Sequence, residues 1–202
     1  MPNWCINSVA FYQEDGGNAM LEAFYADIEK YQDYKDPETG EPCDWVGNWL
    51  ESNRINVDNL YTRGYFVDCE FDGDHVRVDM EVAWSTMTAV YDLMANKYDL
   101  VYVYIAEEAG CEFYVNTDIE GRFFTTRYIC HYFDVEDLRL DSSIIAEYGE
   151  RLEKLSGETH YFVDWEAVVQ TFKPFQFQAK ELSELNKCLE MFNITVYEYD
   201  NE

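Results

Sequence analysis

The strongest constraint on the fold is a pair of runs, residues 65–71 and 74–82, in which apolar and polar side chains alternate on either side of Asp72-Gly73. A period of two is typical of strands whose two faces have different surroundings. Asp-Gly between such runs favours a two-residue hairpin turn, because both central residues of that turn need positive φ. The sequence therefore predicts two adjacent antiparallel strands with one apolar and one wet face.

This turn also predicts a register. With Phe71 and Asp74 as the closing pair, Cys69 faces Val76 and Val67 faces Val78 on one side. On the other side, Asp68 opposes Arg77 and Glu70 opposes His75, as opposite-charge or polar pairs.

Strand-like and helix-like patterns around the hairpin follow the order β, α, β, β, α, β, with a further hairpin after them. The segments outside the central hairpin are a strand at 3–12, a helix at 18–31, a helix after Ser85, a strand at 100–106 and an added hairpin formed by 111–115 and 122–129. This order is typical of the ferredoxin-like arrangement, in which two helices cover one face of an antiparallel sheet. The predicted class is therefore α+β, with Ser85 as the expected cap of the second helix.

The domain prediction follows from these patterns. Residues 1–132 are expected to form the ferredoxin-like domain, with a loop-rich insertion at 33–63. Residues 133–202 are expected to form a helical extension that packs on it and ends in a strand at 194–199.

Composition limits the partners. The chain has 14 basic and 41 acidic residues, so its formal charge is 14 − 41 = −27. Such a surface repels phosphate, and direct nucleic-acid binding is not expected. A hydrophobic fraction of 48% and an aromatic fraction of 17% are nevertheless enough for a folded core.

The acidic side chains of the hairpin and of the following strand form the candidate binding surface. Such carboxylates would attract a basic protein, or would supply a pair for acid–base chemistry. The candidate residues are Asp68, Glu70, Asp79, Glu81, Glu107 and Glu108.

Known cofactor motifs do not occur in the sequence, and no cofactor or metal is predicted. Residues 116–121 imitate the first half of a calcium loop, but Arg127 stands where the bidentate Glu should be. A β-turn is the better interpretation. His75 is interpreted as a cross-strand partner, and Cys130 and His131 as neighbours that point to opposite strand faces.

Six cysteines lie at least 19 residues apart and without paired spacing, which favours reduced core thiols. The longest stretch without Asp, Glu, Lys or Arg is thirteen residues, too short for a membrane span of about 20. Because no secretory pattern begins the sequence, a cytoplasmic location is expected, with no membrane contact.

Four tryptophans, Trp4, Trp45, Trp49 and Trp84, are predicted to belong to the core, since large aromatic residues in two-layer domains are usually buried. A binding pocket near the strand ends, lined by Trp4 and Trp84, is the alternative.

Two stretches carry a family resemblance. Residues 1–7, Met-Pro-Asn-Trp-Cys-Ile-Asn, and the order Val82-Ala83-Trp84-Ser85, helix, then residues 104–113 are similar to the YubB-type ferredoxin-like family of plasmids and phages. The likeness covers about residues 1–130, although Thr86-Met87 replace the family's prolines and the insertion and C-terminal part are unmatched. The shared positions are Asn3, Trp4, Cys5, Asn7, Trp84, Ser85, Glu108 and Gly110. The resemblance implies a fold and a mobile-element origin but no catalytic residue.

Several functions are compatible with these features. The leading hypothesis is a non-enzymatic, acidic accessory or interaction protein of phage type that binds a basic partner. A DNA mimic that inhibits a nucleic-acid-binding host enzyme and a small-substrate enzyme that uses surface carboxylates are the alternatives. Acidity that only reflects a host composition bias is the remaining interpretation, and the sequence does not determine the oligomeric state.

Overall fold

The computed structural model describes residues 3–31, 35, 39–40, 44–57 and 59–201. This part of the chain contains a five-stranded antiparallel sheet, a three-stranded sheet and six α-helices, which confirms the predicted α+β class. The chain forms two compact units, Met1–Phe124 with Asn201–Glu202, and Thr125–Asp200. None of the helices among the described residues is long and apolar enough to cross a membrane.

The first unit contains the five-stranded sheet and three helices. Its elements are β1 (Trp4–Tyr12), α1 (Ala19–Ile28), α2 (Val46–Ser52), β2 (Gly64–Phe71), β3 (His75–Ala83), α3 (Thr88–Tyr98), β4 (Val101–Glu108) and β5 (Phe113–Asn116). The strands lie in the order β2-β3-β1-β4-β5, and every neighbouring pair is antiparallel.

The core of the first unit lies on one face of this sheet. Val9 of β1 and Val78 of β3 are opposite each other and fully buried. Phe24 of α1 and Tyr91 of α3 are buried in the same cluster. The side of the five-stranded sheet opposite these helices is called the outer sheet face below.

The hairpin exists, but its predicted register is wrong. The N–H of Asp72 donates to the carbonyl of His75 at 3.0 Å, so the central turn residues are Gly73 and Asp74. Gly73 has φ +84°, and Asp74 is not among the residues with positive φ. Positive φ at the first central position alone is the pattern of a type II′ turn, which needs only one glycine.

The pairing shifts by two residues as a result, so the buried face is kept while each partner changes. Cys69 lies opposite Val78, Glu70 opposite Arg77, and Asp68 opposite Asp79. A β-bulge between Phe66 and Asp68 leaves Val67 without a partner and 56% exposed.

The second unit has a sheet of its own, which the sequence did not predict. It contains β6 (Tyr128–Cys130), α4 (Ser142–Glu153), β7 (His160–Phe162), α5 (Trp165–Phe172), α6 (Leu182–Leu189) and β8 (Val196–Glu198), with the sheet order β7-β6-β8. The predicted final strand is confirmed as β8, and β7 is a strand that the sequence did not predict within 133–202.

The added hairpin of 111–115 with 122–129 is also wrong. β5 pairs with β4, whereas β6 pairs with β7 and β8. The Asp118 carboxylate accepts the N–H groups of Phe123 and Phe124 at 2.6 and 2.8 Å. These bonds keep the intervening chain in a loop, so it is not available for strand pairing.

Other local predictions are confirmed only in part. α1 begins after Asn18 as predicted, without a side-chain cap bond. Ser85 does not cap α3, because that helix begins at Thr88. Residues 33–34, 36–38, 41–43 and 58 of the predicted insertion lie outside the described residues.

Candidate functional site on the outer sheet face

Five of the six predicted acids lie on the outer sheet face. The register places Glu81 between Ile6 of β1 and Tyr65 of β2, and Glu107 of β4 on the other side of Ile6. The five acids are Asp68, Glu70, Asp79, Glu81 and Glu107.

Glu108 is the exception, because it follows Glu107 in the strand and points to the core side, where it is only 4% exposed. Its Oε1 accepts the N–H of Gly110 at 2.8 Å, while Oε2 is buried without a hydrogen-bond partner. Burial acts to raise its pKa, but the Cys111 thiol, the backbone N–H groups of Gly110 and Cys111 and the Asn3 amide lower it below the ordinary value. Glu108 therefore caps a turn and does not belong to the acidic surface.

The acids of the outer sheet face are not all free. Arg77 lies 2.7 Å from Glu70 Oε2 and 3.5 Å from Asp79 Oδ1. The Ser8 hydroxyl also donates to Asp79 at 2.6 Å. By contrast, no described residue is hydrogen-bonded or ion-paired to the exposed carboxylate of Glu81.

Three of the four tryptophans are exposed, which corrects the core prediction. Trp4 is 38%, Trp45 39% and Trp84 48% exposed, and only Trp49 is fully buried. The reason for Trp4 is its register: it shares strand parity with Ile6, so its side chain lies on the outer sheet face.

Exposed apolar side chains surround Glu81. Ile6 is 59%, Tyr65 41% and Val67 56% exposed. The rings of Trp4 and Tyr65 have their centroids 5.6 Å apart with an interplanar angle of 60°. These four residues together with Glu81 are called the Glu81 patch.

Residues of the family-like motifs come together at this end of the sheet. The N–H of Trp84 donates to the carbonyl of Asn3 at 2.8 Å. A Cβ added to Gly110 would lie 2.4 Å from Asn3 Nδ2 and 2.9 Å from Glu108 Oε1. The motif residues Asn3, Glu108 and Gly110 therefore determine how the start of β1 and the end of β4 pack together.

Two further motif residues, Cys5 and Asn7 of β1, are fully buried. The Tyr91 hydroxyl donates to Asn7 Oδ1 at 2.9 Å, and Asn7 Nδ2 donates to the Cys5 carbonyl at 2.9 Å. Burial raises the pKa of the Cys5 thiol to about 12. These bonds satisfy buried polar groups, and a thiol of this kind is a poor nucleophile at neutral pH.

Trp84 has φ +73°, a left-handed conformation that is costly for a bulky residue. It forms the turn between β3 and α3, where Ser85 does not act as a cap. Strain of this kind in an exposed aromatic residue is typical of functional positions.

The calcium-like segment is a structural turn. The Asp118 carbonyl accepts the N–H of Gly121 at 3.0 Å, which confirms the predicted β-turn. Asn116 Oδ1 accepts the N–H of Asp118, so the side-chain oxygens of both residues bind backbone donors.

The remaining predicted partners differ from expectation. His75 Nδ1 lies 2.8 Å from Asp74 Oδ1, and its ring lies 4.6 Å from that of Phe123, so Glu70 is not its partner. The five described cysteines are free thiols; Cys5, Cys69 and Cys130 are buried as expected, but Cys111 is exposed. Cys43 lies outside the described residues.

Two concavities fall within single units. In the second unit, a cavity of about 180 Å³ is lined by apolar residues that include Trp165, Phe172 and Leu185, and also by Lys173. In the first unit, residues 13–15 and 99–101 line a polar depression.

The described carboxyl groups with shifted pKa values are Asp27, Asp74, Glu108 and Asp141, and all four values are lowered. In each of them hydrogen bonds to the carboxylate lower the pKa, and in Asp27 and Glu108 they outweigh burial.

Sequence reasoning missed Ile6, Tyr65 and Val67 as site residues. Successive side chains of a strand point to opposite faces, and Tyr65, Phe66 and Val67 are all apolar, so at least one of them had to face outward. An apolar residue at a polar position of the alternation was the signal that would have indicated this surface.

No protein-family model matches this chain, and no curated protein gives a significant match to it.

Proposed function

We propose that this chain is a non-enzymatic interaction protein that binds a basic protein partner through its outer sheet face. The observation that carries the proposal is the Glu81 patch, where a carboxylate without a partner among the described residues is surrounded by exposed Trp4, Ile6, Tyr65 and Val67. Exposed apolar groups supply binding energy, and the formal charge of −27 would steer a cationic partner toward them.

The proposal includes a ferredoxin-like fold for the first unit and a phage or plasmid origin. The strand order β2-β3-β1-β4 with α1 and α3 on one face supports that fold. The short motifs at Asn3-Trp4-Cys5 and Trp84-Ser85 are the support for the origin.

A cytoplasmic location also belongs to the proposal. Its support is the set of five free thiols, since thiols persist in reducing compartments.

A DNA mimic is less well supported. Such a protein needs carboxylates spaced like phosphates, but Arg77 neutralises Glu70 and Asp79 in the middle of the outer sheet face. Ile6 also lies between Glu81 and Glu107 in their cross-strand row. The mixture of apolar and acidic groups favours a protein surface as partner.

The test compares two triple variants that remove the same charge. One carries Glu→Gln changes at residues 70, 81 and 107 of the outer sheet face, and the control carries them at residues 150, 153 and 190 of the second unit. The ligand is a fluorescent decapeptide of alternating arginine and lysine, titrated by anisotropy at about 50 mM and about 500 mM NaCl. We expect the first triple to lose about tenfold or more in affinity and the control about twofold or less. Equal losses, or binding that is insensitive to salt, would exclude an electrostatic site on the outer sheet face.

A further inference from the structure

We infer that the Glu81 patch recognises an arginine side chain of the basic partner, whose guanidinium pairs with the Glu81 carboxylate and stacks on the ring of Trp4. This inference rests on the proposed function and adds the chemical group that is recognised. Guanidinium is planar, weakly hydrated and suited both to bidentate carboxylate binding and to aromatic stacking.

The first step is the position of the carboxylate. Glu81 lies in β3, between Ile6 of β1 and Tyr65 of β2 in the same cross-strand row. Trp4 is opposite Ala83, the next outward position along β3. The carboxylate is therefore next to an aromatic pair whose ring centroids are 5.6 Å apart. A cation within about 6 Å of a ring centroid is attracted by the ring.

The second step is that Glu81 is available. The other exposed glutamate of the hairpin, Glu70, is held by Arg77 at 2.7 Å. No described residue is hydrogen-bonded or ion-paired to the Glu81 carboxylate. A charged partner can occupy this carboxylate without displacing an existing ion pair.

The third step is the apolar surroundings. Ile6 and Val67, 59% and 56% exposed, provide a surface for the methylene stem of a long cationic side chain. They also remove water from the ion pair, which strengthens it relative to a pair surrounded by solvent.

The fourth step concerns the indole groups. The N–H of Trp45 donates to the Thr62 carbonyl at 2.7 Å, and that of Trp49 donates to Asp27 at 3.0 Å. The indole of Trp4 has no acceptor among the described residues. Trp4 can therefore donate to a backbone carbonyl of the partner while its ring stacks.

One nearby cation opposes the site. Arg63 is exposed and precedes β2, and its carbonyl accepts the N–H of Ala83 at 2.9 Å. Its backbone lies at this end of the sheet, so its positive charge would repel a cationic ligand. Arg63→Gln should therefore strengthen binding, which provides a test in the opposite direction.

The experiment uses the full chain and three decapeptides. Each peptide contains four lysines and five serines at the same positions, and the peptides differ only in one central residue, which is arginine, lysine or citrulline. Affinities are measured by isothermal titration at about 50 mM NaCl. We expect the arginine peptide to bind about threefold or more tightly than the lysine peptide, and the citrulline peptide to bind weakest. Glu81→Gln should reduce arginine-peptide affinity about fivefold or more, Trp4→Leu should remove the preference for arginine over lysine, and Glu70→Gln should change affinity about twofold or less.

The outcomes separate this inference from the proposed function. If Glu81→Gln and Glu70→Gln weaken binding equally, or Trp4→Leu keeps the arginine preference, the arginine site is wrong while a diffuse acidic surface remains. If none of the peptides binds the parent chain at low salt, the proposed function fails as well. Circular dichroism and the thermal midpoint of each variant show whether it is folded. Arg63→Gln should bind the arginine peptide more tightly than the parent chain does.

Discussion

At the scale of single residues, Asp27 is the most densely bonded carboxylate of the described chain. Tyr98 Oη donates to Asp27 Oδ2 at 2.7 Å, Trp49 Nε1 at 3.0 Å and Lys97 Nζ at 3.1 Å, and Lys30 donates to Oδ1 at 3.2 Å. Burial acts to raise the pKa of Asp27, but the hydrogen bonds from Tyr98, Lys97 and Lys30 lower it from 3.8 to about 2. The cluster connects α1, α2 and α3.

Asp27→Asn should lower the free energy of unfolding by about 2–3 kcal/mol, because it removes a carboxylate that three helices share. The folded pKa is below the ordinary value, so this stabilisation is complete above about pH 4 and is lost as the pH falls toward 2. Urea unfolding between pH 2 and 6 should therefore show a weaker pH dependence in Asp27→Asn. The control, Glu22→Gln on the exposed side of α1, should keep the parental slope. An unchanged slope in Asp27→Asn would show that other groups cause the acid sensitivity.

Gly110 is required by a close approach and not by an unusual φ. Gly110→Ala should cost about 1 kcal/mol, because its Cβ would displace the ends of the Asn3 and Glu108 side chains. If Asn3 causes the clash, the double variant with Asn3→Ala should be more stable than the sum of the two single changes predicts. Strictly additive costs in a double-mutant cycle of urea unfolding would mean that the glycine serves another purpose.

At the scale of elements, the hairpin turn can be tested at the two residues of its Asp-Gly dipeptide. Gly73→Ala should cost about 1–2 kcal/mol because Gly73 has φ +84°. Asp72→Ala should cost about 0.5 kcal/mol or less, since Asp72 is the closing residue and does not have positive φ. Thermal unfolding of both variants decides the turn type. A large cost at Asp72 would favour the turn with Asp72 and Gly73 at its centre.

The elements themselves were largely predictable where periodicity was long. The alternation of 65–82 and the stripes of α1 and α3 all correspond to observed elements. The turn register was not predictable from Asp-Gly alone, because the same dipeptide fits two turns that differ by one position. The pairing of β6 was also hidden, since a three-residue strand carries too little pattern to indicate its partner.

The candidate site was predictable only in part, for a related reason. Strand parity alone assigns Glu70, Asp79 and Glu81 to the wet face, and the register of the sheet agrees. Parity also decides that Glu107 and Glu108 point to opposite sides, so both could not belong to one surface. The exposure of Trp4 was missed because the prediction relied on the usual burial of large aromatic side chains. The position of Trp4 in the strand alternation, which it shares with Ile6, indicated the outer sheet face instead.

At the scale of the whole molecule, the two units have separate apolar cores. The first core is centred on residues such as Phe24 and Val78, and the second on residues such as Leu152 and Phe192. Acidic side chains occur throughout both units, so neither carries the excess charge alone. Self-repulsion therefore acts on the complete chain and opposes its compact state.

Added salt should stabilise this protein. At about 10 mM salt the Debye length is about 30 Å, so carboxylates repel one another over much of the molecule, while at about 150 mM it is about 8 Å. With a formal charge of −27, screening of repulsion should outweigh screening of the few surface ion pairs. A gain of about 2 kcal/mol would raise Tm by about 4–8 °C for a chain of this size. Calorimetry in NaCl and KCl should give the same rise, since the effect depends on ionic strength.

The control variant with Glu→Gln at 150, 153 and 190 tests the cause. Its formal charge is −27 + 3 = −24, so its Tm at low salt should be higher than that of the parent and should rise less when salt is added. Sodium sulfate is unsuitable here because its exclusion from protein surfaces stabilises folded chains by a different route. A Tm that falls with NaCl would mean that ion pairs such as Arg77 with Glu70 outweigh the net repulsion. The acidity would then be locally compensated, and the long-range field on which partner steering depends would be weak.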